Sequence, residues 1–444
     1  MKICFIPIDN RPVCYNLVKD ICEIDEAIDL LIPPRELLGS LVKTANINEI
    51  LNWLKQIPKC DAIILSLDTI AYGGLIPSRR SSESFSEIQA RIENLKDILK
   101  EKESKIYAFS SIMRISNNNY NEEEKEYWKD YGEKIFRYSY SGGKDNDNIP
   151  QEIIEDYLQT RKRNFEINKL YLEWQKEGFI DTLVFSKDDC AEFGFNVNEA
   201  NQLEALGGKV KTGADEIPLT LLARAIKKDI KIYVEYTEPD CKNLISNYED
   251  VSIEKSVQGQ LELAGFKQVQ DKNIADLILI VNNFREQQGE LVMSWQTGPK
   301  SEYLPSFDIT KIPYAIADVR YANGADNDFV EQLLPQINLN NFYGYSGWNT
   351  SANSLGSLLA GIKVKFNAKI YRENSFKKLQ TIRFLDDWAY QANVRAKIDK
   401  TCEISGLMKP FEDKISQIFP LTNSFNLNYT YPWNRKFEIE IDIT

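Results

Sequence analysis

The chain of 444 residues contains no histidine. An imidazole base, a Ser-His-Asp triad and a histidine-ligated metal are therefore excluded from any chemistry that it performs. Its seven cysteines are scattered and form no CxxC pair, so a cysteine-based zinc or redox motif is not indicated either. Carboxylates are the obvious remaining groups for acid–base chemistry.

Neither a basic stripe nor a long apolar run occurs in the sequence, and no secretion leader is expected. Its net charge of −12 is spread along the chain, which argues against a nucleic-acid partner. Lys2 leads directly into ICFIPID, which is too short for a leader, and no run approaches the ~20 apolar residues of a membrane span. We therefore expect a soluble cytoplasmic protein with reduced thiols, no membrane partner and an oligomeric state that the sequence leaves open.

The residues that are present predict an α/β protein. Hydrophobic residues make up 43% of the chain, enough for a sizeable core, and the length indicates two domains or one large barrel. Nearly continuous apolar runs alternate with amphipathic segments, a pattern typical of mainly parallel sheets. Helices are predicted over Ile47–Ile57, Ser84–Lys102 and Pro150–Glu177. Strands are predicted over Lys2–Ile8, Leu30–Ile32, Ala62–Leu67, Lys105–Ser110, Thr182–Ser186, Lys209–Thr212, Lys231–Tyr236, Ala275–Val281, Tyr314–Val319 and Phe342–Tyr345, with a short one near Phe266–Val269.

The number of strands favours two doubly wound (Rossmann- or flavodoxin-like) domains, since a single (β/α)8 barrel uses only eight. The first α/β domain is predicted to cover residues 1–228 and to carry the acidic loops, and the second to cover 229–365. Residues 366–444 form a C-terminal extension of helix and strand, which ends in KFEIEIDIT, an alternating run suited to an edge strand or hairpin. A (β/α)8-like barrel with an appended α/β domain is the alternative.

Two segments place neighbouring acids just after a predicted strand. TLVFSKDD ends in Asp188 and Asp189, and KVKTGADE ends in Asp215 and Glu216 after the small pair Gly213-Ala214. Carboxylates that share a site push their pKa values apart, so that one holds a proton near neutral pH while the other is ionised. Acid–base catalysis needs this difference, although helix capping is the alternative role for either pair.

Other polar residues that follow predicted strands are candidates for substrate binding. Asp and Arg side chains bind hydroxyls and carboxylates with defined geometry, although an Arg–Asp clasp between loops would be purely structural. Asn is a poor choice for a solvated helix face, so a polar stripe containing it is expected to face the site. The candidates in the first domain are Asp9, Arg11, Asp68, Tyr72, Arg79, Arg114 and Asn164, the last on a helix face shared with Arg161 and Asn168.

The second predicted domain carries its own polar cluster in ADVRYANGADNDF and GYSGWNTSANSLGS. An aromatic face beside amides suits a sugar ring, whereas phosphate binding at a helix N-terminus is the weaker alternative because neither a Walker A nor a GxGxxG motif is present. No cofactor is expected apart from a divalent cation, which Asp9, Asp68 and Asp188 would bind if their loops converge. The substrate-binding candidates here are Asp318, Asn323, Asp326, Trp348 and Asn349.

Two resemblances accompany these motifs. GADE resembles the Gly-Gly-Asp-Glu segment of β-N-acetylhexosaminidases with substrate-assisted catalysis, which implies that Asp215 orients an acetamido group and Glu216 protonates the leaving oxygen. Over almost its whole length the chain resembles the bacterial domain-of-unknown-function family four-one-two-seven, departing at Asn10, where a second aspartate is expected. The family implies no activity. The motifs that carry this resemblance are IDNRP, LIPPRELLG, SLDTIAYGGLIPSR, KDDCAEFG, GADE, LLAR, YANGAD, SGWNTSANSLG and RFLDDWAYQANVR.

The residues therefore predict a hydrolase, specifically a glycoside hydrolase that uses paired carboxylates on a terminal N-acetylhexosamine-type sugar. Glu216 is the expected general acid and Asp215 the positioning group, with Asp188 and Asp189 as the alternative acid–base pair. Two other functions stay open: a divalent-metal-dependent hydrolase of a phosphorylated small molecule, and a non-catalytic sugar-binding protein.

Overall fold

The computed structural model describes residues 1–299, 312–398, 404–422 and 426–444. The chain divides into two compact units, and each is built around one parallel sheet, which confirms the predicted α/β class. The first unit comprises Met1–Tyr15, Asp29–Leu221 and Tyr248–Asp250, and the second comprises Asn16–Ile28, Leu222–Asn247 and Val251–Thr444.

A six-stranded sheet forms the first unit, and all of its neighbouring strands are parallel. The strands are β1 (Lys2–Ile6), β2 (Asp29–Leu31), β3 (Ala62–Ser66), β4 (Lys105–Ile112), β5 (Thr182–Lys187) and β6 (Val210–Thr212), in the order β2-β1-β3-β4-β5-β6. Every residue of β3 is buried, as expected of a parallel strand covered on both faces. All six strands predicted for this region are confirmed.

A five-stranded parallel sheet forms the second unit, in the order β13-β11-β9-β7-β8. A short parallel pair, β10 and β12, and an antiparallel pair, β14 and β15, accompany it; β15 is the edge strand that KFEIEIDIT predicts. The strands are β7 (Lys231–Tyr236), β8 (Lys267–Gln268), β9 (Leu277–Asn282), β10 (Gly289–Glu290), β11 (Tyr314–Asp318), β12 (Tyr321–Ala322), β13 (Phe342–Ser346), β14 (Leu427–Thr430) and β15 (Glu440–Ile443).

The two sheets share one winding pattern. In each, the second strand lies on one side of the first and the later strands follow on the other side, which is the flavodoxin-like order 2-1-3-4-5. The winding reverses between β1 and β3 in the first unit and between β7 and β9 in the second. Open α/β sheets bind ligands outside the carboxyl ends of their strands at this switch point. The barrel alternative is wrong, because the parallel strands divide between two sheets.

Helices cover these sheets, and α5 begins with a capping box formed by Ser84 and Glu87. A π-helix over Phe384–Val394 directly follows α13. Within the described ranges, none of the helices has both the length and the apolar character needed to cross a bilayer. The α-helices are α1 (Pro12–Cys22), α2 (Ile47–Gln56), α3 (Leu67–Ala71), α4 (Leu75–Arg80), α5 (Phe85–Lys102), α6 (Trp128–Tyr140), α7 (Gln151–Lys176), α8 (Phe195–Ala205), α9 (Ile217–Ala225), α10 (Ile253–Ala264), α11 (Asn327–Leu333), α12 (Ser351–Asn367), α13 (Glu373–Arg383) and α14 (Ile404–Ile418).

The core of the first unit fixes the strands that carry the acidic loops. Ile63 and Leu65 of β3 pack in one cluster with Ile92 and Leu95 of α5, and all four are fully buried. Burial of each such side chain stabilises the fold by roughly 1.5–3 kcal/mol relative to exposure. The carboxyl ends of the strands are therefore held rigidly, and the loops that follow them start from fixed positions.

Candidate active site

The acidic loops of the first unit emerge at the carboxyl edge of its sheet. Asp9 follows β1, Asp68 follows β3, Asp188 and Asp189 follow β5, and Asp215 follows β6. Because the six strands are parallel, all of these loops leave the sheet at the same edge. Asp9 and Asp68 lie on either side of the switch point, where a ligand site is expected.

Arg11 joins the loops that follow β1 and β6. Its backbone N–H and its Nε each donate to the Asp9 carboxylate at 2.9 Å. Its Nη1 and Nη2 donate to the two carboxylate oxygens of Asp215 at 3.2 and 2.5 Å. Since β3, β4 and β5 lie between β1 and β6, the two loops together reach across roughly 20 Å of sheet edge. The structure thus brings together Asp9, from the first acidic loop, and Asp215, from the last.

Two further arginines hold the acid pair that follows β5. Arg79 Nη1 lies 3.4 Å from Asp188 Oδ2, and Arg114 Nη1 lies 3.2 Å from Asp189 Oδ2. Glu124 connects the two arginines, at 3.4 Å from Arg79 and 2.9 Å from Arg114. Neither aspartate caps a helix, because α8 begins at Phe195 with Gly194 as its N-cap. The two acids therefore belong to one charged network.

Sequence reasoning missed Glu123 and Glu124, which complete this network. Glu123 lies 3.1 Å from Arg114, and the side chain of Glu124 is almost entirely buried. Both occur in NEEEKE, a charge run typical of a solvated loop. No local signal marks them, because the arginines that bury Glu124 come from α4 and from the end of β4.

The surroundings of Asp189 raise its pKa towards neutral pH. Burial raises the pKa of Asp189 from the ordinary 3.8 to about 7, and the charge of Asp188 adds to the rise while that of Arg114 opposes it. Burial also raises the pKa of Asp188, against the charges of Arg79 and Arg114. The Asp189 side chain is nevertheless 36% exposed, so a solute can reach it. The two adjacent acids therefore both have raised pKa values, and that of Asp189 lies near neutral pH.

Asp68 is a buried acid at the switch point. The Ser111 N–H donates to its Oδ2 at 2.8 Å, and the Ser110 hydroxyl donates to its Oδ1 at 3.4 Å. Burial raises the pKa of Asp68 to about 7, although these hydrogen bonds oppose the rise. Tyr72, predicted with it, is also buried, and the Arg163 guanidinium lies 5.4 Å from its ring centre. Both residues are therefore buried and contact protein groups at the carboxyl edge of the sheet.

The polar stripe of α7 is buried, as the sequence predicts, but it contacts protein groups. Arg161 donates to both carboxylate oxygens of Glu199 at 2.8 and 2.7 Å and to the Arg114 carbonyl at 3.1 Å. Asn164 donates to the Ser78 carbonyl at 2.9 Å, next to Arg79. The stripe thus fixes the backbone beside Arg79 and Arg114, and Asn164 has a positioning role.

Glu216 immediately precedes α9 and is completely buried. Its carbonyl accepts the N–H groups of Leu219 and Thr220 at 3.0 and 3.2 Å in the first helical turn. Gly213, at φ 94°, makes the preceding turn and donates its N–H to the Lys187 carbonyl at 2.9 Å. Glu216 therefore lies in the core beneath the site, whereas Asp189 offers a carboxyl at its surface.

The group best placed for a cation differs from the predicted one. Among the described residues, ligand atoms of Asp9, Cys14 and Asp215 all lie within 4.8 Å of one another. Asp68 and Asp188 are not part of this group, so the predicted cation set of Asp9, Asp68 and Asp188 is corrected. The Arg11 guanidinium, bound to both carboxylates, supplies positive charge at this place.

The structure places the predicted residues of the second unit in different roles. Asp318 and Asp326 lie together, since Asp318 Oδ2 accepts the Asp326 N–H at 2.8 Å. Asn323 donates to Glu290 at 2.7 Å, and Asn349 Oδ1 accepts the Thr350 N–H at 2.8 Å beside the start of α12. The prediction of an open stacking face on Trp348 is wrong, because the ring is buried with its centre 5.9 Å from that of Phe437.

These features define a two-unit α/β protein with a cluster of acids and arginines at the switch point of each sheet. Residues 3–442 match the family model described as Protein of unknown function (DUF4127). The chain therefore belongs to that family, and the resemblance seen in its motifs is confirmed. The comparison with curated proteins gives no match.

Proposed function

We propose that the first unit is a hydrolase of the glycosidase type that uses the Asp188–Asp189 pair. One observation carries the proposal: Asp189 has a pKa raised to about 7, remains partly exposed and stands beside a second acid. A glycosidic oxygen needs a proton donor on one side and a carboxylate that stabilises positive charge at the sugar. A terminal N-acetylhexosamine is the substrate that we test first.

In this proposal Asp189 donates the proton to the leaving oxygen, and Asp188 is the carboxylate that faces the oxocarbenium-like centre or the attacking water. Arg79 and Arg114 fix the two carboxyls through the contacts at 3.4 and 3.2 Å. Asp9 and the Arg11–Asp215 ion pair border the site and bind substrate hydroxyls. Glu216 supports the loop from beneath and takes no part in proton transfer.

A panel of nitrophenyl glycosides, including the N-acetylglucosaminide, tests the proposal. The variant Asp189→Asn should lower kcat by about 10²–10⁴-fold, the usual contribution of a general acid. The matched control is Asp97→Asn, an exposed aspartate paired with Lys100 on α5, which should leave turnover unchanged. Unchanged turnover in Asp189→Asn would remove the assignment.

The Asp9–Cys14–Asp215 group favours a second candidate function, a divalent-metal-dependent hydrolase of a phosphorylated small molecule. The two functions separate in one experiment. The metal-dependent function predicts bound metal in the purified protein and loss of nitrophenyl phosphate hydrolysis with EDTA and in Asp215→Asn. The glycosidase predicts turnover that EDTA leaves unchanged.

A further inference from the structure

The second unit has its own polar cluster at the switch point of its sheet. Glu238 follows β7, and Asn283 follows β9, its neighbour across the switch point. The Glu238 N–H donates to Asn283 Oδ1 at 2.8 Å, and Asn283 Nδ2 donates to the Glu238 carbonyl at 2.9 Å. The two loops are thus tied together where doubly wound sheets bind their ligands.

Arg320, 3% exposed, is the central cation of this cluster. Its Nη2 donates to Glu238 Oε1 at 3.0 Å, and its Nε lies 3.3 Å from Asp326 Oδ2. Its Nη1 is shielded from solvent and has no acceptor within the part of the chain that the structure describes. A buried donor without a partner is costly, so this nitrogen indicates an acceptor supplied by a ligand.

Arg320 has a buried donor without an acceptor, and Asp387, on the π-helix, has a buried acceptor oxygen to which none of the described residues donates. Its Oδ2 accepts the Gly347 N–H at 2.7 Å and pairs with Arg383 at 2.9 Å. Its Oδ1 is fully shielded and accepts no hydrogen bond from any described residue, and the same is true of Gln391 Oε1 one turn later. Widened helical turns of this type occur frequently at functional sites.

Arg320 and Asp387 belong to one contiguous group. Arg320 pairs with Asp326, whose N–H donates to Asp318 at 2.8 Å. Asp318 packs against Gly347, where an added Cβ would lie 3.3 Å from Asp318 Cβ, and Gly347 donates to Asp387. The residues that carry the unfilled donor and the unfilled acceptors are therefore joined by one continuous chain of contacts.

The charges of the cluster nearly cancel. Three arginines face three carboxylates, and two further acids, Asp318 and Asp386, have their pKa values raised to about 7 and about 8 by burial and by the charges of Asp326 and Asp387, respectively. A strongly anionic ligand would therefore find little net attraction. Hydroxyl groups both donate and accept, and so they match a cluster with unfilled atoms of both kinds. The charged members are Arg285, Arg320 and Arg383, with Glu238, Asp326 and Asp387.

We propose that the second unit binds a small uncharged polyol or sugar at this cluster, with Arg320 donating to and Asp387 accepting from its hydroxyls. The outer side of the cluster is formed by Arg285, whose side chain is 42% exposed beside Glu238. The proposal uses residues of the second unit alone, and it stands whether or not the first unit hydrolyses glycosides.

Saturation-transfer NMR on the full chain with three probes, myo-inositol, glucose and N-acetylglucosamine, tests it. At least one probe should receive saturation from the protein, and Arg320→Met should weaken its binding by about tenfold or more. The matched control is Arg372→Met, an exposed arginine of the same unit paired with Glu26, which should bind as the native chain does. Asp189→Asn should also bind normally, which separates this site from the proposed hydrolase.

Two outcomes would overturn the proposal: no transfer to any of the three probes, or transfer that Arg320→Met leaves unchanged, as expected if fixed water alone fills the cluster. If Arg320→Met fails to fold, as judged by its thermal melt, Asp387→Asn decides the question. That variant keeps the shape of the side chain and removes an acceptor oxygen, so binding with the native affinity would equally contradict the assignment.

Discussion

At the scale of single residues, Asp189 differs from an ordinary surface aspartate in what surrounds it. It is partly buried, Asp188 is adjacent, and Arg114 and, to a smaller extent, Arg79 partly offset the resulting preference for the protonated form. Arg79 and Arg114 both oppose protonation of Asp188. Directly after burial, the main causes are the two arginines for Asp188 and the Asp188 charge for Asp189, so Asp189 is the proposed proton donor.

This difference between the two acids predicts the pH dependence of catalysis. A general acid works only while protonated, so kcat/KM should fall as pH rises through about 7, the raised pKa of Asp189. In Asp188→Asn the neighbouring negative charge is gone, so the pKa of Asp189 falls and the alkaline limb should move to lower pH. Burial, the larger cause, should keep it above 3.8. If the alkaline limb of the kcat/KM profile lies at the same pH in Asp188→Asn as in the native chain, another group supplies the proton.

Asp68 predicts a pH dependence of stability. Its pKa is about 7 in the folded chain and near 3.8 when unfolded, so the folded state binds the proton more tightly. The free energy of unfolding contributed by this group therefore declines as pH rises from about 4 to about 7. Asp68→Asn should remove the decline, so that between pH 5 and pH 8 the variant gains roughly 2–4 kcal/mol relative to the native chain.

Urea unfolding at the two pH values measures this change. Asp97→Asn serves as the control, because that aspartate is exposed on α5 and pairs with Lys100. An equal decline in the native chain and in Asp68→Asn would show that the buried carboxyl is ionised throughout this range.

At the scale of elements, the convergence of two loops depends on Arg11. Arg11→Met would leave Asp9 and Asp215 close together without their shared cation. Removing one member of a buried ion pair costs about 3–5 kcal/mol, and a loss of this size is expected in the free energy of unfolding. The control Arg137→Met breaks an exposed pair with Asp147 and should cost less than about 1 kcal/mol. Similar losses in the two variants would mean that the contacts of Arg11 with Asp9 and Asp215 do not stabilise the fold.

The start of α5 offers a second test at this scale. The Ser84 side chain accepts the Glu87 N–H, and the Glu87 carboxylate accepts the Ser84 backbone N–H. Ser84→Ala should lower the free energy of unfolding by about 1 kcal/mol. Ser82→Ala, an exposed position just before the cap, should change it little. A neutral Ser84→Ala would show that the helix begins elsewhere in solution.

The sequence predicts these elements well for a physical reason. A parallel strand buried on both faces is rich in consecutive apolar residues, and such runs at 62–65 and 183–185 need no tertiary information to be recognised. The partners of the arginines, in contrast, cannot be recognised from local sequence. Arg11 binds Asp215 across 204 positions, and that pairing exists only once both loops have left the sheet at one edge.

Burial is the other quantity that local pattern does not reveal. Trp348 lies beside amides in the sequence, a pattern typical of sugar-stacking residues, yet its ring is buried against Phe437. Glu124 looks solvated and is buried between two arginines. In both cases the partner comes from a distant element, so the exposure of the side chain follows from tertiary packing.

At the scale of the whole molecule, two doubly wound units repeat one arrangement. Both sheets follow the order 2-1-3-4-5, to which the first adds a sixth strand, and each places buried acids and arginines where its winding reverses. The same geometry explains both. The loops that follow adjacent parallel strands leave the sheet at one edge, and they diverge and leave a crevice only at the switch point. The central claim is that the carboxyl edge of the first sheet carries a carboxylic acid, Asp189 after β5, whose pKa lies near neutral pH.

Carbon-13 NMR titration of the aspartate carboxyls, compared between the native chain and Asp189→Asn, measures that claim most directly. The account predicts one resonance, absent from Asp189→Asn, that titrates near pH 7. If the resonance that disappears in the variant instead titrates near pH 4, Asp189 is an ordinary ionised aspartate and the proposed acid does not exist.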